Sequence, residues 1–497
     1  MTHSSRRSAP SVVVFALFAL IAGLVPGGRV AASEPESVSV IVRAESGGMD
    51  LVRLAVARVG GSVTIDLPVI DGFAASIPRD ATQFLSAAPG VASLTEDFRV
   101  TLNGRRQAGD EAGPSISTLT TTVLDLDRLW RRGITGDGVG VALIDSGVAP
   151  VGGLDAPEKV VNGPDLSFDS QFDNLRYLDA YGHGTHLAGI IAGVDPSLGS
   201  RPTERDVRTN FAGVAPGARI VSVKVADGLG TADVSQVIAG IQWVIDHKDD
   251  PEASIRVLNL AFGTDGVQDY RIDPLAYAVE QAWHAGLVVI VASGNDGTDE
   301  PLRNPATDPF VISVGASDPN GTRGTNDDVI LDFSNCGVDD RTVDLIAPGR
   351  SISSLRVAGS YVDSAFPEAA DGERFFRGTG TSQAAAVTSG VVALMLDARP
   401  DLTPDQVKVL LTTTADPIRS AGGTCEGVGM VDAHQAVMQR HVPKGAVQTW
   451  DESDGTGSLE AARGSYHVYR DGVALVGEID ILGNSWSGGT WSVSDWD

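Results

Sequence analysis

Residues 141–147 read Val-Ala-Leu-Ile-Asp-Ser-Gly, a short apolar run that ends at a carboxylate and a glycine. Helical patterns separate this run from later runs of the same kind, at residues 218–224, 255–260, 287–291 and 310–314. Short continuous apolar runs are typical of strands that are buried on both faces. The alternation predicts an α/β fold over residues 120–442, with a parallel sheet that helices cover on both faces.

Two further segments place reactive side chains where a glycine-rich turn meets a helix. Gly-His-Gly-Thr-His at 182–186 opens one helix, and Gly-Thr-Ser-Gln-Ala-Ala at 380–385 opens another. Sites in such folds form beyond the carboxyl ends of the strands, which is where Asp145 lies. Taken singly, a strand-end carboxylate and a serine at a helix start are ordinary structural features. The hypothesis of a catalytic site therefore depends on their conjunction.

The chain order Asp, His, Ser with these flanking residues resembles the subtilisin-like serine proteases over residues 129–437. Two more segments strengthen the resemblance. Val-Val-Ile-Val-Ala-Ser-Gly-Asn at 288–295 is similar to the strand that leads to the family's oxyanion-hole asparagine, and Ala-Pro-Gly at 347–349 is similar to one of its turns. The resemblance implies a subtilisin-like three-layer fold, a parallel sheet flanked by helices, and the activity of a serine endopeptidase.

The same resemblance assigns roles to the reactive residues. His183 would take the proton from Ser382 as its Oγ attacks the peptide carbonyl, and an acyl-enzyme would form. Asp145 would hold the imidazole tautomer and stabilise the imidazolium. Asn295 would donate to the oxyanion of the tetrahedral intermediate.

The resemblance also indicates where a polypeptide substrate binds. One segment resembles an edge that pairs with an extended peptide, and two others resemble the walls of the primary specificity pocket. The residues are Gly228, Leu229 and Gly230 in the first, and Leu260, Ala261, Gly263, Ser293 and Gly294 in the others. Ordinary structural glycines are the alternative for these positions. Ala261 replaces the family's usual serine, so the resemblance leaves the preferred side chain before the scissile bond undefined.

The N-terminus predicts secretion. Arg6 and Arg7 precede an apolar run at residues 12–25, and the small residues Val30-Ala31-Ala32 follow it. This pattern is typical of a signal peptide over residues 1–32 and of an extracellular protein. The alternative is a membrane anchor, but the run is shorter than the roughly 20 apolar residues that a spanning helix needs. We therefore expect the mature form to carry no membrane anchor.

Residues 33–110 predict a small separate domain. Their elements follow the order β-α-β-β-α-β, which is the ferredoxin-like α+β arrangement. In secreted subtilisin-like proteases a domain of this kind is a propeptide that assists folding and blocks the cleft. The resemblance thus implies a zymogen whose own propeptide is an intramolecular inhibitor. A polar, glycine-containing linker at 111–119 lies near the expected self-cleavage site, between about Asn103 and Ser117.

Composition limits the partners. The 497 residues carry a formal net charge of −27, which argues against nucleic acid or an anionic membrane as the main partner. The two cysteines, Cys336 and Cys425, exclude a four-cysteine zinc site. Outside the cytosol a disulfide between them is favoured, with two free thiols as the alternative. We expect a monomer that needs no cofactor for its chemistry and has no metal site. A structural calcium ion stays open, with no motif to support it.

Residues 443–497 differ from the rest of the chain, with an acidic run at 451–454, many Gly and Ser, and Trp486, Trp491 and Trp496 at a spacing of five. They predict a small appended β element or partly ordered tail, with an aromatic glycan-binding strip as the alternative.

Three other functions stay open. One is a catalytically silent subtilisin-fold binding protein that uses this tail. The second is a metal-dependent hydrolase that uses His183 and His186, and the third, disfavoured, is a membrane-anchored maturation protease.

Overall fold

The computed structural model describes residues 37–45, 47–67, 72–96, 115–338, 341–418, 425, 429–442, 446–470 and 473–486. Several sequence predictions lie outside these ranges. They are the signal peptide over 1–32, most of the expected self-cleavage region, and Trp491 and Trp496.

The first part of the chain folds as a four-stranded antiparallel sheet with two helices. Its elements are β1 (Ser37–Ala44), α1 (Met49–Arg58), β2 (Ser62–Leu67), β3 (Gly72–Pro78), α2 (Thr82–Ser86) and β4 (Val91–Glu96). The strand order is β2-β3-β1-β4, and all the neighbouring pairs are antiparallel. Val42, Val52 and Phe73 lie in a core separate from the main one. The predicted ferredoxin-like order is confirmed over these residues.

A ten-stranded sheet forms the centre of the main part of the chain. Its parallel strands are β5 (Gly140–Asp145), β6 (Val160–Asp165), β7 (Arg219–Lys224), β8 (Ile255–Leu260), β9 (Val288–Ala292), β10 (Ile312–Asp318) and β11 (Leu345–Pro348). Their order is β11-β10-β9-β8-β5-β7-β6, the short strands 429–430 and 416–417 extend the β11 edge, and the tenth strand, Val329–Ile330, pairs antiparallel with β10. Ile144 of β5 pairs with Leu260 of β8, which in turn pairs with Val291 of β9. The carboxyl ends of these three strands therefore lie side by side.

Helices cover both faces of this sheet. They are α3 (His183–Ala192), α4 (Val234–His247), α5 (Pro274–His284), α6 (Thr381–Ala398), α7 (Pro404–Thr414) and α8 (Ala433–Met438). The side chain of Asn259 in β8 donates to Ser389 of α6. Its neighbour Leu260 points to the opposite face, because side chains alternate along a strand. The predicted three-layer α/β fold is confirmed, although β10 begins and ends later than the predicted run 310–314.

Two shorter strands, β12 (Ile352–Leu355) and β13 (Phe375–Gly378), form an antiparallel pair beside α3. Cys336 and Cys425 form a disulfide with a sequence separation of 89 residues, as expected for this pair. No helix among the described residues is both long and apolar enough to cross a membrane.

The described residues after 445 contain a short helix, α9 (Leu459–Arg463), and a two-stranded hairpin at 469–470 and 473–474. Helix α9 contacts both α4 and α5. Leu459 and Ala462 are fully buried in the same core as the central sheet. This part of the chain is therefore packed into the main unit, and of the two forms expected, a small β element or a partly ordered tail, the hairpin supports the first.

Candidate active site

Asp145 and His183 meet where the central strand β5 ends and helix α3 begins. The imidazole Nδ1 of His183 lies 2.8 Å from Oδ1 and 2.9 Å from Oδ2 of Asp145. A carboxylate only accepts hydrogen bonds, so Nδ1 carries the hydrogen and the neutral ring keeps its lone pair on Nε2. Gly182, just before the helix, has a φ of 101°, a backbone conformation that favours glycine. The glycine before His183 is therefore required by the turn that presents the ring.

The electrostatics of His183 follow from these contacts. Burial disfavours the charged ring, but the charge and the hydrogen bond of Asp145 outweigh it, so the pKa of His183 is raised above its usual range. A histidine with a raised pKa is a stronger proton acceptor when it is neutral. The arrangement suits a general base that works near or above neutral pH.

Ser382 lies in the first turn of α6, with its side chain buried. Its hydroxyl donates to the main-chain oxygen of Ala261, just beyond β8, at 2.7 Å. Transfer of its proton to His183 therefore requires the hydroxyl to turn away from Ala261. The backbone N–H groups of a first helical turn have no acceptor within the helix, so the N–H of Ser382 belongs to a set of donors that can serve a ligand.

Asn295 follows β9 and lies beside the same helix start. Its Oδ1 accepts from the backbone N–H of Thr381 at 2.9 Å, which fixes the orientation of the amide. Its Nδ2 is buried and has no hydrogen-bond partner among the described residues. A buried, oriented donor without an acceptor is costly unless a ligand or water supplies one. The geometry therefore leaves one amide donor next to Ser382 for a developing negative charge.

The predicted substrate segments lie at or after the carboxyl ends of β7, β8 and β9. Gly228, Leu229 and Gly230 form a tight turn in which Oδ1 of Asp227 accepts from the N–H of Leu229 at 2.9 Å. Leu260 ends β8 and Ala261 follows it, while Ser293 and Gly294 follow β9, so all four lie at the carboxyl edge of the sheet. Gly263 lies against Arg303 and Asn304, since an added Cβ there would be 2.8 Å from Cβ of Arg303.

A family model described as Peptidase_S8, the subtilase family, matches residues 136–457. The match includes Asp145, His183, Asn295 and Ser382. The chain belongs to the subtilase family. Members of this family are serine endopeptidases, so the protein is a hydrolase of peptide bonds.

Two curated relatives give the scale of the similarity. The subtilase is 35% identical over 311 residues to the serine protease AprX of Bacillus subtilis, which covers 61% of this chain and 67% of that protein. It is 30% identical over 363 residues to subtilisin E of the same species, which covers 72% of this chain and 79% of that protein. It therefore shares most of the length of both relatives.

Solved structures show the same fold. A protease from Pseudoalteromonas arctica aligns with a TM-score of 0.51 and 26% identity, over 64% of this subtilase and 94% of that chain. Fervidolysin from Fervidobacterium pennivorans, described as a keratinolytic enzyme related to subtilisin, aligns with a TM-score of 0.50 and 24% identity, over 84% of this subtilase and 63% of that chain. At that identity, fervidolysin supports the fold alone.

Two supporting residues of the subtilase were missed at the sequence level. Asp179 is buried, and its Oδ1 accepts from Ser146 Oγ at 2.8 Å and from the N–H of Gly182 at 2.6 Å. Its Oδ2 accepts from the N–H of Thr185 at 2.7 Å. Ser146 Oγ also lies 3.1 Å from Oδ1 of Asp145. Asp179 thus holds the start of α3 and, through Ser146, contacts the carboxylate that orients His183. The only sequence feature that could have indicated this role is the position of Asp179, four residues before His183.

His186 has a structural environment in this subtilase. Its Nε2 lies 3.2 Å from the main-chain oxygen of Ile352 and 3.1 Å from that of Phe376. Burial lowers its pKa to about 4, so the ring is neutral at ordinary pH. His183 and His186 thus bond to different partners, the carboxylate of Asp145 and two main-chain oxygens. The described ranges contain no group of three or more His, Cys, Asp or Glu that could hold a metal ion.

Proposed function

We propose that this subtilase is a secreted endopeptidase, made as a self-processing zymogen, that cleaves polypeptides through Asp145, His183 and Ser382. The observation that carries the proposal is the 2.8 Å contact between Asp145 and Nδ1 of His183, with Ser382 buried in the first turn of α6. The contact fixes one tautomer of the ring and leaves Nε2 as the base.

The reaction follows the roles of these atoms. The hydroxyl of Ser382 turns from Ala261 and gives its proton to Nε2 of His183 as Oγ attacks the peptide carbonyl. The imidazolium is stabilised by Asp145 and then protonates the leaving amine, so the C–N bond breaks and an acyl-enzyme remains. Water, deprotonated by the neutral ring, then releases the acid and restores Ser382.

The oxyanion of each tetrahedral intermediate would accept from two donors. One is Nδ2 of Asn295, and the other is the backbone N–H of Ser382. Because these donors are already oriented, no rearrangement is needed as the charge develops. The positive end of the α6 dipole favours the same negative charge.

The predicted substrate residues keep their proposed roles. Gly228, Leu229 and Gly230 would lie beside the residues before the scissile bond, since an extended peptide pairs mainly through its main chain. Leu260, Ala261, Gly263, Ser293 and Gly294 would line the primary pocket. The proposal names polypeptide as the substrate class and no cofactor for the chemistry.

Residues 33–110 would be the propeptide, and secretion would depend on residues 1–32. The β-α-β-β-α-β order of residues 37–96 supports the first assignment. The second rests on the sequence alone. Self-cleavage between Asn103 and Ser117 would release the cleft, and the mature enzyme would begin in that region.

The test is the intact mass of the secreted wild type beside Ser382→Ala. We expect the wild type to lose its N-terminus up to a point between Asn103 and Ser117, while the variant keeps it. If both keep it and neither hydrolyses a denatured protein, the proposal fails and a silent binding protein is favoured. If both lose it, processing by another protease replaces self-cleavage, and a serine-reactive phosphonate that labels only the wild type would still support the endopeptidase.

A further inference from the structure

Arg463, the last residue of α9, is a fully buried arginine outside the predicted catalytic region 120–442. Its Nε and Nη2 donate to the two carboxylate oxygens of Asp233, at 2.6 and 3.2 Å, and both side chains are 0% exposed. The other N–H groups reach Oε2 of Glu460 at 3.2 Å, the oxygen of Gly477 at 2.7 Å and that of Ile479 at 2.6 Å. All five donors of the guanidinium are therefore used, as a buried arginine requires.

Asp233 connects this ion pair to the first substrate segment. It is the N-cap of α4, where its Oδ1 accepts from the N–H of Ser235 at 3.0 Å. A single residue separates it from the turn 227–231, which we call the first wall and which contains Gly228, Leu229 and Gly230. A second contact comes from the same C-terminal part of the chain, where the N–H of Ile481 donates to Oγ of Ser235 at 3.0 Å. The end of the first wall is thus fixed by residues more than two hundred positions later.

The same short helix reaches the second substrate segment, residues 260–264, which we call the second wall. The hydroxyl of Thr264 donates to the main-chain oxygen of Ala462, next to Arg463. On its other side Thr264 exchanges two main-chain hydrogen bonds with Asn304, at 2.9 and 3.0 Å. The N–H of Ser465 adds a bond to Oδ1 of Asp265 at 2.6 Å. Neighbouring residues of α9 therefore reach the second wall directly, through Ala462, and the first wall indirectly, through Asp233.

We propose that the extension, residues 446–486, belongs to the substrate-binding machinery of this enzyme, with Arg463 as the positioning residue that fixes the separation of the two walls. The inference rests on the proposed function. Arg463 contacts neither the substrate segments nor Ser382, so it acts through Asp233. A shift of a wall would weaken the binding of an extended peptide and leave the reacting groups in place.

Arg463→Lys in the full chain is the main test, because lysine keeps the charge and loses the fork that matches the carboxylate. We expect kcat/KM for a peptide that spans four residues before the scissile bond to fall about tenfold, mostly through KM. The rate of inactivation by a small phosphonate, which needs only the reacting groups, should stay within about twofold. Arg208→Lys is the matched control, since Arg208 pairs with Glu204 with both side chains exposed.

Thr264→Val provides a second variant that leaves the buried ion pair intact. It removes one hydroxyl donor to α9 and should lower kcat/KM for the long peptide in the same direction. If both residues act through α9, the effects of the two substitutions on kcat/KM should be non-additive, which a double-mutant cycle measures. Additive effects would mean that α9 does not couple the walls, and would overturn the proposal.

Two other results would also overturn the proposal. One is that Arg463→Lys leaves both the peptide and the phosphonate rates unchanged. The other is that both rates fall in proportion to the folded fraction, which shows a role in stability alone. Failure of the proposed function gives a different result, because the wild type would then show no peptide hydrolysis that Ser382→Ala abolishes.

Discussion

Replacing Asn295 by leucine removes the side-chain donor that we propose for the oxyanion. Its Nδ2 is buried without a partner among the described residues, while its Oδ1 accepts from the N–H of Thr381 at 2.9 Å. The free donor has no ground-state bond to lose, so its removal should act on the transition state. We expect kcat to fall and KM to change little.

The size of the effect has two parts. Loss of one oxyanion donor lowers kcat by about 10²–10³, or about 2.7–4 kcal/mol, a figure measured in subtilisin itself and applied here to a relative. The N–H of Thr381 also loses its acceptor, which should reduce the free energy of unfolding by about 1–3 kcal/mol. Asn295→Asp keeps an acceptor for Thr381, so it should lose kcat without the same loss of stability.

The assay is kcat per active site, titrated with a burst substrate, together with urea unfolding of each variant. Asn259→Leu is a matched control, because Asn259 is a buried amide on β8 that donates to Ser389 and does not face the reacting groups. It should lose stability and keep kcat per active site. If Asn295→Leu retained kcat within about threefold, the donor would not be part of the oxyanion site and the reasoning would be wrong.

Three further predictions concern the surroundings of the site. The acid limb of the pH profile of kcat/KM should have its midpoint above about 6.5, because neutral His183 is the base and its pKa is raised. Asp145→Asn should move that midpoint to lower pH and lower kcat by about 10⁴. A pH–rate profile of each enzyme measures both effects. Asp179→Asn should reduce the free energy of unfolding by about 2–3 kcal/mol, because the NH2 group of asparagine is itself a donor and cannot accept from a backbone N–H such as that of Thr185. An unchanged urea midpoint would contradict this. Reduction of Cys336–Cys425 should destabilise the enzyme by about 4–5 kcal/mol for a loop of 89 residues, to be checked by melting with and without reductant.

The sequence predicted the central sheet well because its strands are buried on both faces. A strand such as β5, buried along its whole length, leaves a continuous apolar run that needs no knowledge of its neighbours. The contact of Asp145 with His183 was implied by the resemblance to the subtilisin-like proteases, because the strand-edge rule alone places only Asp145. The bond from Ser382 to Ala261 could not be predicted, because the rotamer of a hydroxyl depends on packing that only the fold defines.

Asp179 shows a different limit. Its three accepted bonds all come from residues within the chain segment around α3 and from Ser146. The sequence shows only an aspartate before a glycine and a histidine, which is also a common turn pattern. The role becomes visible only when burial shows that the carboxylate is enclosed by donors.

Arg463 shows why the sequence did not predict how the C-terminal residues pack against the catalytic region. Composition separated residues 443–497 from the catalytic region, since many Gly and Ser are typical of loosely ordered segments. Composition says nothing of a partner 230 positions away, yet Arg463 and Asp233 are both fully buried. A buried arginine is retained only where its charge and all its donors are matched, so the catalytic region must present that carboxylate to the extension. The packed core of this protease therefore extends beyond residue 442, and helix α9 belongs to it.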